Sequence, residues 1–232
     1  MSDGSSSNIH ILTVDYRGYG LSTGIPSERG VIIDAIATVD WAIKIARIPT
    51  NRIVILGHSL GTAISAAVVE HYVRHGTEFA GVVLVAPFTS MQSLLRTYSI
   101  GGLVPLLSPL KSYPALQKQF SSYLVGKWLS AERIANFVRL STRVRLFIIH
   151  SKNDQIIPWT HSNALFASAA NATVEGGMEL ELLNKMKARS TIEVGDGFVS
   201  TWKAGTDTII TEEIVAYGRK LFQKDVCSYS FR

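Results

Sequence analysis

Arg52-Ile-Val-Ile-Leu-Gly57-His58-Ser59-Leu60-Gly61-Thr62-Ala63 is the stretch on which the fold of this chain turns. Its first half is a short β-branched and aliphatic run, the pattern of a buried strand. Residues 62–75 then read as a helix. Between the two lies Gly-x-Ser-x-Gly. A strand that turns directly into a helix lifts the central serine hydroxyl clear of the backbone in a strained conformation. Side chains two residues either side of Ser59 are expected to collide with the neighbouring elements, which suits Gly57 and Gly61. The Leu60 amide, at the positive end of the helix dipole, suits a donor to a developing oxyanion.

Reading upstream, Ile9–Asp15 (IHILTVD) has the character of a buried strand and runs into a glycine-rich loop, Arg17–Gly24. Pro26-Ser27-Glu28 opens a helix with Ser27 as its cap, and the apolar spacing continues through residues 31–46 until Pro49 and Asn51 break it. Downstream, residues 79–86 form a third strand. Residues 90–140 break the rhythm and are expected to be a helical cap insertion, with Leu103, Val104, Leu106 and Leu107 available to line an apolar pocket. A strand over 144–150, the loop SKNDQIIP, a helix from Thr160 to about Ala170, a strand over 190–194 and a last helix from about Thr211 complete the pattern. Strands alternating with helices imply an α/β fold, a mostly parallel sheet with helices on both faces. No repeat or linker divides it, so one domain over 1–232 is expected, with a disordered start at 1–8 and an atypical tail at 219–232.

The net charge is +5 and the pI about 9.3. The basic residues are scattered and do not alternate with aromatics, which argues against nucleic-acid binding and leaves peripheral contact with anionic membranes open. Cys227 is the only cysteine, so neither an internal disulfide nor a cysteine-rich metal site can form. Residues 1–7 lack the apolar core of a signal peptide, and no run reaches the ~18 apolar residues of a membrane span. A cytoplasmic chain is expected; the sequon Asn171-Ala172-Thr173 carries little weight beside that.

A serine hydroxyl becomes a strong nucleophile when a histidine takes its proton, and the histidine needs a carboxylate partner. Asp154 is the candidate acid, in a short loop at the carboxyl end of a strand, where such sheets assemble their sites. Asp196 is a weaker rival, and Asp15 is expected to organise the loop at its own strand end.

VDYRGYGLSTG (14–24), RIVILGHSLGTA (52–63) and IIHSKNDQIIPWTHS (148–162) together resemble the α/β-hydrolase superfamily. Within it they are most similar to the α/β-hydrolase domain protein 12-like branch of lysophospholipase and monoacylglycerol lipase type enzymes. The resemblance covers roughly residues 9–218. It implies an ester or lipid substrate, no cofactor and no metal. It makes Ser59 the nucleophile, Asp154 the acid and Leu60 one oxyanion donor, and its full-length relatives are membrane-associated.

Two features depart from the branch. Its histidine follows a stretch like EEIVAYG, where this chain reads Tyr217-Gly218-Arg219-Lys220, with Lys220 near the expected histidine. The only histidine after Asp154 is His161, which together with His150 is left as the possible base. His58 should point away from Ser59, His10 begins its strand about 16 Å from the reacting end, and His71 and His75 read as an exposed helix face. The front also differs: the strands that usually precede VDYRG, and the loop giving the second oxyanion donor, are expected to be missing. The sheet edge thus uncovered makes self-association an expectation. Two rival functions remain: a non-catalytic hydrolase-fold protein that binds a lipid or a protein partner, and a nucleotide-binding domain. The run Arg17-Gly18-Tyr19-Gly20 matches no phosphate-binding motif, which disfavours the second.

Overall fold

The computed structural model describes residues 9–95 and 126–217. Helix α1 (Glu28–Asp40) starts where the Ser27 hydroxyl accepts from the Gly30 amide. It loosens into a π-helical turn at Trp41–Ile45. Strand β1 (Val54–His58) leads into α2 (Leu60–Arg74), and β2 (Gly81–Val85) follows. Helix α3 (Ser130–Leu140), β3 (Val144–Ser151), α4 (Thr160–Ala172), α5 (Leu180–Arg189) and the strands β4 (Thr191–Val194), β5 (Gly197–Ala204) and β6 (Thr208–Val215) complete the order.

The six strands form one sheet in the order β1-β2-β3-β6-β5-β4. The first four are parallel, and β5 and β4 are antiparallel additions at the far edge. Helix α2 lies against β1 with Ala63, Ala66 and Ala67 buried; small side chains let the helix sit close to the sheet. The central strands carry Leu84, Leu146, Ile148 and Ile210 fully buried. Each contributes roughly 1.5–3 kcal/mol of apolar transfer, and together they fix the strand ends on which the site is built.

Several expectations change. The strand expected at 52–57 is shifted, because Thr50–Arg52 is a 3-10 turn. Residues 9–15 are not in the sheet: Ile11, Leu12 and Val14 are exposed, and no ladder engages 10–14. A β-branched run becomes a strand only beside a partner, and none lies beside this one among the described residues. The helix expected from Thr211 is the strand β6, paired in register with β3 from Val144↔Thr208 to Ser151↔Val215. Glu212 on this strand is buried and bound to Lys187. Strand β5 was not anticipated at all; the Gly195 turn, with φ +59, folds it back on β4. Of the 90–140 segment, residues 96–125, including the apolar residues expected to line a pocket, lie outside the described residues. Its described end, α3, packs between α2 and α4 through Ile134, Phe137 and Val138, as a layer helix over the sheet face.

Candidate active site around Ser59

Ser59 is the hinge between β1 and α2. Its φ is 52° and ψ −121°, outside the region that side-chain-bearing residues favour. Such a conformation costs on the order of 1–3 kcal/mol and persists only where the surroundings enforce it. Here the Ser59 amide donates to Val85 O (2.9 Å) on β2. The Ser59 carbonyl accepts from the Thr62 amide (3.0 Å) and from Thr62 Oγ1 (2.6 Å), and Thr62 is wholly buried. At the end of the neighbouring strand Ala86 is strained in the same sense, with φ 51°, and its amide donates to Ile149 O. Leu60 opens the helix, so by position its amide lacks a helical acceptor.

The two glycines differ. A Cβ on Gly57 would sit 2.5 Å from Gly61 O and 2.6 Å from Ser65 Oγ, whereas one on Gly61 would meet nothing within 4 Å. The expected collision therefore holds at Gly57 alone. Gly61 matters there through its backbone, which crosses so close that Gly57 has no room for a side chain.

Asp154 lies in the loop after β3. Its Oδ1 accepts from the amides of Ile156 (2.8 Å) and Ile157 (2.9 Å), and its Oδ2 is 3.5 Å from His150 Nε2. Burial pushes the carboxyl up, but the bonds from His150 and the two amides outweigh it and hold its pKa below the ordinary value. His150 is completely buried. Its Nε2 lies 2.8 Å from Ile157 O, which can only accept, so Nε2 carries a proton. Its Nδ1 meets Ser162 Oγ at 2.6 Å. Serine, histidine and aspartate are thus linked in a row, but in the interior and with Ser162 also fully buried.

His161 is buried as well. The Thr89 amide, a donor only, points at its Nδ1 (3.4 Å), and Thr89 Oγ1 lies 3.0 Å from the same atom. Nδ1 is therefore an acceptor, and in the neutral ring the proton sits on Nε2. Burial, and then the nearby His150, lower its pKa, so the ring is neutral at pH 7 with its lone pair already engaged. Among the described residues no hydrogen bond joins Ser59 Oγ to His150, His161 or Asp154. His58 is exposed, and His71 and His75 stack on one another on α2. The end of β6 passes beside the acid loop, with the Lys152 amide bonded to Val215 O (2.8 Å). Residues after Tyr217, Lys220 included, lie outside the described residues.

Sequence reading missed two arrangements. Arg17 clamps Asp34 of α1 through its amide, Nε and Nη2 (2.7–3.1 Å), and holds the glycine-rich loop on the helix. The bonds from Arg17 lower the Asp34 pKa. Asp15 does organise that loop, accepting from the Leu21 amide and, at its carbonyl, from Ser22 Oγ. Lys187 reaches Glu212 and Asn163 beneath the sheet and lies over the rings of Phe166 and Phe198. Burial raises the Glu212 pKa despite Lys187. Asp196, the rival acid, lies in the β4–β5 turn, where its carbonyl accepts from Lys152 Nζ (2.6 Å). A groove of about 650 Å³ lies away from Ser59, between residues 12–15, the glycine-rich loop and α1. Among the described residues no cluster of metal-binding side chains occurs, and no helix is long and apolar enough to cross a membrane.

A family model described as serine aminopeptidase S33 matches residues 5–135, more than half of the chain. The lysophosphatidylserine lipase ABHD12 of Macaca fascicularis is 31% identical over 168 residues, which are 72% of this chain and 40% of that protein. The human protein ABHD12B is 32% identical over 172 residues, 74% of this chain and 44% of its own. The chain spans about two fifths of the length of these relatives. A Pyrococcus furiosus esterase structure shares the fold, with a TM-score of 0.50 and 19% identity over 68% of this chain and 55% of that one.

Proposed function

The chain belongs to the serine aminopeptidase S33 family of α/β-hydrolases, and from that premise we propose that it is a serine esterase of the lipid type, with Ser59 as its nucleophile. The observation that carries this reading is the backbone of Ser59. A serine held at φ 52° between a parallel strand and a helix, and half exposed, suits an attacking hydroxyl better than any packing role. In the proposed reaction Ser59 Oγ bonds to the ester carbonyl carbon and gives up its proton, while the carbonyl oxygen becomes an oxyanion facing the Leu60 amide. The C–O bond to the leaving alcohol breaks and the alcohol departs with a proton. Water then splits the acyl-serine ester to the carboxylic acid. The relatives that are lysophosphatidylserine lipases favour a lysophospholipid as the ester.

A second reading, a hydrolase fold that binds a lipid or a protein partner without turnover, is favoured by one observation. The Nδ1 atoms of His150 and His161 are both engaged away from Ser59. Loss of the base in a serine hydrolase lowers kcat by about 10⁴–10⁶-fold and leaves residual catalysis by the oxyanion donor and binding. We expect slow release of fatty acid from lysophosphatidylserine or monoacylglycerol micelles, abolished in Ser59→Ala. Binding of these lipids with no release above that of Ser59→Ala would favour the second reading.

A further inference from the structure

His150 and His161 are buried, each with Nδ1 engaged by a hydroxyl. His71 and His75, by contrast, stand exposed one turn apart at the end of α2, with ring centres 4.6 Å apart. His75 Nδ1 lies 2.6 Å from the His71 carbonyl oxygen. A carbonyl can only accept, so Nδ1 carries the proton, and the lone pair of the neutral ring sits on Nε2. A backbone carbonyl that holds one ring nitrogen and leaves the other free to ligate is the common support of a metal-bound histidine. Among the described residues no hydrogen bond engages the His71 ring or His75 Nε2.

The surroundings favour a cation. Both histidines belong to the last turn of α2, where the helix dipole is negative. Arg74, between them, is paired with Glu70, and Lys44 with Asp40, so the neighbouring positive charges are offset. Asp40 in turn lies within electrostatic range of His71. Two nitrogens on one tetrahedral zinc, each at about 2.0–2.1 Å, lie about 3.3 Å apart. With His75 pinned by its carbonyl bond, rotation of the His71 ring is the adjustment that meets this spacing. We propose that His71 and His75 together bind one zinc ion through a nitrogen of each ring. No group of three metal-binding side chains occurs among the described residues, so water completes the coordination sphere. His71 lies about 17 Å along the helix from Leu60. The ion therefore ties down the far end of α2 and takes no part in the chemistry at Ser59.

Calorimetric titration of the untagged chain with zinc chloride tests the site, and one ion per chain is expected. Zinc at ten times its dissociation constant should raise the thermal midpoint by about 3–6 °C, and EDTA should reverse the rise. His71→Ala and His75→Ala should each abolish both effects, and the double variant should do no more than either alone. Both positions are exposed, so the circular dichroism of each variant should match the parent. His58→Ala and Cys227→Ser should leave the binding unchanged. A parent chain that binds no zinc, binding that survives the loss of either ring, or binding that Cys227→Ser removes would overturn the proposal. One ion per two chains would place the metal between copies and overturn it equally.

Discussion

The Ser59 turn and the Asp154 loop stand at the carboxyl ends of β1 and β3, and they differ in what is left free. Ser59 is held by backbone: a strained dihedral, one amide bond to β2, a buried Thr62 and a glycine with no room for a side chain. Asp154 is held by the amides of Ile156 and Ile157 in its own loop, and its other oxygen ends a row that runs through buried His150 to Ser162. The first arrangement leaves its hydroxyl available, whereas the second uses up its histidine. The serine is therefore presented, while the carboxylate and the imidazole are engaged with groups of the neighbouring loop and helix.

The comparison breaks most visibly at His150. His150→Ala leaves Asp154, Ser162 and Ile157 O without their partner in the interior, and we expect a loss of about 3 kcal/mol in urea unfolding. The labelling rate of Ser59 in the folded fraction should not change, since His150 does not serve it. A large drop in that rate at intact stability would make His150 the base. Next in size, Gly57→Ala should cost about 1–3 kcal/mol by forcing a methyl against Gly61 O and Ser65 Oγ. Gly61→Ala should fall within about 0.5 kcal/mol; equal costs in thermal unfolding would mean that the two glycines do the same work.

The smallest effect is a pH dependence. The His161 pKa is lowered in the folded chain by burial and by His150, so below the unfolded value of about 6.5 the unfolded chain binds the proton more readily. Stability from this group is complete above about pH 6.5 and is lost as the pH falls toward the folded pKa. His161→Gln should flatten that slope in denaturant titrations between pH 5 and 7. Asp154, whose folded pKa is depressed, contributes stability that disappears only below about pH 4, so the two are separable.

The β1–Ser59–α2 turn was legible because its signals are local: an aliphatic run, two glycines and a helical spacing within a dozen residues. The α/β architecture followed from strands alternating with helices, and the hydrolase family from the resemblance carried by VDYRGYGLSTG, RIVILGHSLGTA and IIHSKNDQIIPWTHS together. Strand β6 was not legible, since Glu212 finds its partner in Lys187, 25 residues earlier and across the fold. Ile9–Asp15 has a strand's composition, but strand formation depends on a neighbour that no local pattern reports. The inward commitment of His150 rests on Ser162 and the Ile157 carbonyl, and neither residue looks like a histidine partner in the sequence. The absence of a histidine after His161 was visible at once. That the two remaining candidates are both engaged elsewhere required the geometry.

In the proposed function Ser59 is a presented nucleophile without an imidazole placed to deprotonate it. The rate of fluorophosphonate labelling as a function of pH tests it directly, with Ser59→Ala as the control. Slow labelling is expected, vanishing in Ser59→Ala and rising steadily with pH, as hydroxide in place of a histidine takes the proton. A rate that levels off above a pKa near 7 would contradict it, because a histidine would then be acting as the base. A folded chain that does not label at any pH would contradict the assignment of Ser59 itself.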